Sequence, residues 1–116
     1  MSDTKDLHVV VKIMIAATAD RKGPSFGKGA AALLKGVEEY GSLNRTAKEM
    51  SMAYSKAWSM IKKVEEGLGF ALIERHGARG SELTDEGRKF LTLYDQYEKL
   101  IEAYAEKTFQ EVFAEF

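Results

Sequence analysis

No cysteine occurs in the 116 residues, which excludes disulfides and thiolate metal sites and leaves the redox compartment unmarked. Histidine is scarce as well. His8 and His76 are the only two, far apart in sequence, and without cysteine they outline no structural zinc site. No apolar run approaches the roughly 18 residues of a membrane span. The mildly apolar stretch Val9–Ala19 is interrupted by Lys12 and preceded by acids, so it makes a poor signal peptide, and a cytoplasmic location is expected. Positive charge is in short supply too: 17 Lys/Arg against 18 Asp/Glu give a net charge of −1, which taken alone argues against a nucleic-acid partner.

The distribution of that charge answers the objection. Residues 44–90 carry nine basic and seven acidic side chains, whereas residues 91–116 carry two and six. Acid is concentrated in the tail and the middle is mildly basic, so affinity for bare phosphate should be modest. The remaining composition, 45% hydrophobic and 30% charged, is that of one globular domain over residues 1–116.

Met1–Asp6 is a polar start expected to fray. Leu7–Ile15 alternates, with Leu7, Val9, Val11, Ile13 and Ile15 on one face, and this period of two predicts a strand over residues 7–15. A lone strand leaves its backbone unpaired, so it is expected to join the other two strand candidates, Ala71–Arg75 and Ser81–Thr84, in a three-stranded antiparallel sheet. His8 then sits at an ordinary edge. Ala16–Phe26 reads as a loop. Gly23–Gly29 has the setting of a phosphate-binding loop, but its spacing is one residue short and Gly29 replaces the hydroxyl residue that would hold magnesium. It is read instead as a helix start with Phe26 anchored beneath.

A helix is predicted over residues 29–40, with Ala30, Leu33, Leu34 and Val37 inward and Gly41 closing it. Gly36 in its interior points to another element packing closely there. Residues 43–68 follow as helix, turn and helix. Ser42 can cap the first of these helices, with Ala47 and Met50 inward. The second carries Ala57, Met60, Ile61, Val64 and Leu68 on a 3.6-residue period. Ser55, Lys56, Ser59, Lys62 and Lys63 fall opposite, with Tyr54 and Trp58 at the borders. A buried back and a front of hydroxyls and amines, free of acid until Glu65, suit a DNA major groove, which offers phosphates on its walls and base edges on its floor. Residues 70–84 complete the unit as a hairpin, or wing. Gly69 ends the helix before it, Leu72 and Leu83 point inward, and Arg75, His76 and Arg79 gather at a tip flanked by Gly77 and Gly80. The competing arrangement for Arg75 is an ion pair with Glu74 or Glu82.

Residues 85–116 read as one helix, capped by Thr84, with Asp85 and Glu86 complementing its dipole. At 1.5 Å per residue it would span about 48 Å, more than the ~30 Å of a small domain. Its far half would then leave Leu100, Phe113 and Phe116 in water along with the other apolar side chains there. Tyr97, Leu100, Ile101, Tyr104, Phe109 and Val112 are therefore expected to form a homodimer interface. The alternative is a break near Lys107 that folds the end back. The aromatic residues are core or interface, and no cofactor or metal site is expected.

The segment Glu49–Gly87 resembles the winged helix-turn-helix DNA-binding domain of LysR-type transcriptional regulators. Gly41–Met50 followed by Met52–Trp58 is more similar still to the N-terminal domain of molybdate-responsive regulators. The matching pieces are Gly41, Ser42, Ala47, Tyr54–Trp58, Glu65, Leu68, Gly69, Leu72, Arg75, Leu83, Thr84 and Gly87, and the likeness spans residues 26–105. The sequence departs from the pattern at Ser51, where the turn usually has glycine, and in ending without a metabolite-binding domain. The resemblance implies a mainly α fold with a small antiparallel sheet, a winged helix-turn-helix with a long C-terminal dimerisation helix. It also implies wing contact with the minor groove or backbone. With the helix faces, the expected DNA-contacting set is Ser42, Asn44, Arg45, Ala53, Tyr54, Ser55, Lys56, Trp58, Ser59, Lys62, Arg75, His76 and Arg79.

The function expected is sequence-specific binding of double-stranded DNA by a dimeric bacterial transcription regulator. The alternative is a winged helix turned to protein interaction, which the weak positive charge permits. An enzyme is not expected, since no nucleophile with a base, carboxylate pair or metal-ligand spacing is legible. Neither a small-molecule effector site nor molybdate binding is supported.

Overall fold

The protein, seen in a computed structural model, is described over residues 6–116, so the expectation for Met1–Lys5 lies outside the described residues. Three helices form the centre: α1 (Lys28–Tyr40), α2 (Leu43–Glu49) and α3 (Tyr54–Leu68). Ala30, Leu33, Leu34 and Val37 of α1 are buried against Ala47 of α2 and Ala57, Ile61 and Val64 of α3, as their spacing requires. Gly36 marks where α1 and α2 meet, since a Cβ there would collide with the Thr46 side chain. Thr46 is itself buried and gives its hydroxyl to the Ser42 carbonyl at 2.8 Å. Ser42 caps α2, its side-chain oxygen accepting from the Arg45 N–H at 3.0 Å. Met50, expected inward, is exposed instead, because it ends α2; Leu43 fills that side of the core.

Ser51 occupies the left-handed region at φ 53°, the conformation for which glycine is the usual residue. After α3, Gly69 is left-handed and closes the helix with an N–H bond to the Glu65 carbonyl. The wing then pairs β3 (Ile73–Arg75) with β4 (Ser81–Leu83), with Ile73 opposite Leu83, Glu74 opposite Glu82 and Arg75 opposite Ser81. A turn of 3-10 helix, Gly77–Arg79, forms the tip. Ser81 N–H donates to the Gly41 carbonyl at 2.8 Å, which docks the wing on the α1–α2 corner. Thr84 caps α4 (Asp85–Val112), accepting from the Gly87 N–H at 2.8 Å, and its hydroxyl donates to the Ala71 carbonyl at 2.6 Å. α4 runs through Lys107 without a break and ends at Val112, four residues before the expected end.

The three-stranded sheet does not form. Ile15–Ala16 (β1) pairs with Ser25–Phe26 (β2) in a separate hairpin, so part of the expected loop is strand. Residues 7–14 are extended but join no ladder. They lie along α4, whose side chains take up part of their backbone: Val9 N–H donates to Glu106 at 3.1 Å, Gln110 donates to the Leu7 carbonyl at 2.9 Å, and the Tyr94 hydroxyl donates to the Ile13 carbonyl at 2.8 Å. His8 belongs to the same set, its Nδ1 lying 3.0 Å from Glu106. The period of two survives, with Val9, Val11 and Ile13 half-buried and His8, Val10, Lys12 and Met14 exposed. It reported one covered face; a helix covers it rather than a neighbouring strand. Phe26, expected as an anchor beneath the start of α1, is fully buried, and its ring meets Phe90 and Tyr94 of α4 edge-on at 4.9 and 5.0 Å, a link to the last helix not expected from the sequence.

Candidate nucleic-acid interface

α3 is divided lengthwise. Ala57, Ile61 and Val64 are buried, while Ser55, Lys56, Ser59, Lys62 and Lys63 are exposed on the other side. Ala53 provides no side-chain cap, and the first turn holds no acid. The positive end of the helix dipole is therefore open to an anion. From α2, Asn44 and Arg45 are exposed, and the Arg45 guanidinium lies 4.8 Å from the centre of the Tyr40 ring. Ser42 is occupied as the α2 cap, so its hydroxyl is already engaged within the chain.

Arg75 of the wing meets α3 at two aromatic rings. The Arg75 guanidinium lies 4.5 Å above Trp58 and 5.9 Å from Tyr54, and the Lys62 ammonium is 5.2 Å from the same Trp58 ring. Such cation–ring contacts contribute about 0.5–1 kcal/mol when exposed and more when desolvated. Their larger effect here is geometric, because they fix a flexible arginine beside the exposed face of α3. Trp58 and Tyr54 are half-buried against the core, as border positions require. The carboxylates considered as partners of Arg75 lie beside His76 instead, whose Nε2 is 3.4 Å from Glu82 and 3.8 Å from Glu74. Strand alternation explains the split. Glu74 and His76 project from one face of the hairpin and Arg75 from the other. Tyr54, Trp58, Lys62 and Arg75 thus come together, Arg79 stands exposed at the tip, and His76 turns to the back of the wing.

Glu65 was missing from the expected set. Its side chain is nearly buried and accepts the N–H groups of Leu72 at 2.7 Å and Ile73 at 3.2 Å, with the Lys62 ammonium 3.6 Å away. It fastens the first residues of the wing to α3 and so sets where Arg75 emerges. A signal existed in the sequence: Glu65 lies four residues after Ile61 and next to Val64, an acid on the apolar stripe.

Three packed helices with an exposed third helix, a two-stranded wing docked on them and a long following helix define a winged helix-turn-helix domain. Comparison with known proteins agrees. The family described as bacterial regulatory helix-turn-helix protein, lysR family, matches residues 25–88, and the chain belongs to that family. It is 36% identical over 66 residues to the molybdenum transport protein ModE of Azotobacter vinelandii, a match covering 53% of this chain. The chain corresponds to only 24% of that relative's length. In three dimensions it is similar to the chain in a crystal structure of a CbnR_DBD–DNA complex, with a TM-score of 0.58 at 24% identity, over 72% of this chain and 94% of that one. That likeness is one of fold: mostly helix with small antiparallel sheets.

Proposed function

We propose that this protein, by family a sequence-specific DNA-binding transcription regulator, reads duplex DNA with α3 in the major groove and lays the wing on the adjacent minor groove or backbone. The observation that carries the reading is the exposed face of Ser55, Lys56, Ser59 and Lys62, with Arg75 held on Trp58 at its border. Hydroxyls and amines of this kind reach base edges and phosphates, and an arginine at the groove edge suits a narrow minor groove. Asn44, Arg45 and the open N-terminus of α3 are placed to hold the backbone. The protein acts as a homodimer in the bacterial cytoplasm, through binding rather than turnover.

Selection of bound sequences from random duplex DNA tests this, and a symmetric enriched motif is expected. On that motif, Ser55→Ala or Ser59→Ala shifts base preference by about 1–3 kcal/mol where either touches a base. Lys62→Ala weakens all sequences alike and lowers the salt slope by about one unit. Equal binding by all three variants would place the groove-reading surface elsewhere. Absence of salt-sensitive duplex binding would favour a protein-interaction module.

A further inference from the structure

The back of the wing carries a feature that reading DNA does not use. Glu74 and Glu82 are direct register partners across the β3–β4 ladder, so two carboxylates face each other on one side of a short hairpin. Like charges placed opposite one another destabilise a strand pair. They also sit badly on an element meant to approach phosphates. A single imidazolium from His76 can offset at most one of them. The side chains nevertheless converge: one ligating atom from each of Glu74, His76 and Glu82 lies within 4.8 Å of the others, the one such group among the described residues.

The geometry points to a divalent-cation site formed by Glu74, His76 and Glu82, which takes a first-row transition ion such as Zn2+ and ties the two arms of the wing together. Imidazole with carboxylates is a donor set for zinc, cobalt, nickel and manganese rather than for magnesium, which takes oxygen ligands. Ligands about 2.0–2.1 Å from a tetrahedral zinc stand about 3.4 Å apart. His76 Nε2 is 3.4 Å from Glu82 and 3.8 Å from Glu74. Both carboxylates are exposed, so a small rotation of each completes the triangle. His76 and Glu82 also border an open cleft of about 380 Å3, shared with Glu38, Gly41, Arg79 and Arg88, which leaves room for water on the remaining coordination positions. Ligands from β3, the tip and β4 make the ion a clasp across the base of the turn. It replaces a repulsive pair with a neutral one on the side of the wing away from Trp58.

Calorimetric titration of ZnCl2 into the full chain, without DNA, tests the site separately from the DNA-binding reading. One zinc per chain is expected, with Co2+ giving visible absorption bands from imidazole–carboxylate ligation and Mg2+ giving no heat. His76→Gln should lose the binding, Glu82→Gln should weaken it, and His8→Gln, which removes the other histidine, should keep it. Exchange of the His76 N–H, bonded to the Gly80 carbonyl at 2.8 Å, should slow when zinc is added. Because these side chains lie at or near the surface, His76→Gln should stay folded in chelator, and Glu82→Gln, which removes one of the two facing carboxylates, should melt no lower than the wild type. No saturable zinc binding by the wild type would overturn the site, as would binding that survives His76→Gln or disappears in His8→Gln.

Discussion

Removing the Glu65 carboxylate strands the N–H groups of Leu72 and Ile73, which it accepts at 2.7 and 3.2 Å from a nearly buried position. Bonds to a charged acceptor contribute about 1.5–3 kcal/mol each, and an unsatisfied buried donor costs about 1–3 kcal/mol. Glu65→Ala is therefore expected to destabilise the domain by about 2–4 kcal/mol in denaturant titrations. Glu65→Gln, which keeps one carbonyl acceptor, should lose less. Equal losses for the two variants would mean that packing rather than acceptance matters at this position. Ser51 presents the opposite case. Its φ of 53° is a strained one for a side-chain-bearing residue, costing about 1–2 kcal/mol, part of which glycine would give back as extra freedom in the unfolded chain. Ser51→Gly should raise stability by up to about 1 kcal/mol; a loss would show that the Ser51 side chain makes a contact worth more than the strain.

At the scale of elements, the extended segment 7–14 is held to α4 largely by polar side chains. Glu106 accepts from the His8 ring, the Gln110 amide and the Val9 N–H, and these bonds hold its carboxyl below the usual glutamate range. A depressed carboxylate stabilises the folded form above its unfolded value of about 4.3, and that contribution is lost as pH falls through the lower folded value. The amide resonance of Val9 should therefore titrate with a midpoint below that of glutamate in an unfolded peptide, and Glu106→Gln should abolish the transition. A midpoint at or above the peptide value would exclude this anchoring. The partners are separated by 97 and 98 positions in the chain, which is why alternation in residues 7–15 could show that one face is covered but not by what.

For the whole molecule, the dominant dimension is set by α4. Its 28 residues make it about 42 Å long, in a molecule measuring 60 × 32 × 22 Å. Leu93, Tyr97, Leu100 and Tyr104 are all more than half exposed along it. They recur at intervals of four, three and four residues, the spacing of a helix-pairing seam. Ile101 and Phe109, expected in the same interface, are half-buried already. A two-fold pairing of α4 would cover the seam and could set two α3 helices about 34 Å apart, the spacing of successive major grooves on one side of the duplex. Sedimentation of the full chain at micromolar concentration should show a dimer, and the double variant Leu100→Asp, Tyr104→Asp a monomer. These substitutions are cleaner than shortening α4, which would also remove Glu106 and Gln110 and free the 7–14 segment. A monomeric wild type would remove the dimer, and a dimeric variant would move the interface elsewhere.

Local pattern by itself determined the helices of this protein. Stripes at a 3.6-residue period, the caps Ser42 and Thr84 and the terminators Gly41 and Gly69 act within a few residues of one another, so α3 begins at Tyr54 and ends at Leu68 where its sequence says it should. The exposed face of α3 was legible for the same reason, since a helix with one buried side presents the other. Tertiary structure decided what these elements do to each other. Arg75 turns to Trp58 and His76 to the two glutamates because the wing's register places them on opposite faces. Glu65 becomes a clamp because β3 starts beside it. The N-terminal segment remains outside any sheet because α4 offers it acceptors and donors that no neighbouring residue could announce. Periodicity records which side of an element is covered; the identity of the cover depends on contacts between residues far apart in the chain, and only the folded arrangement supplies those.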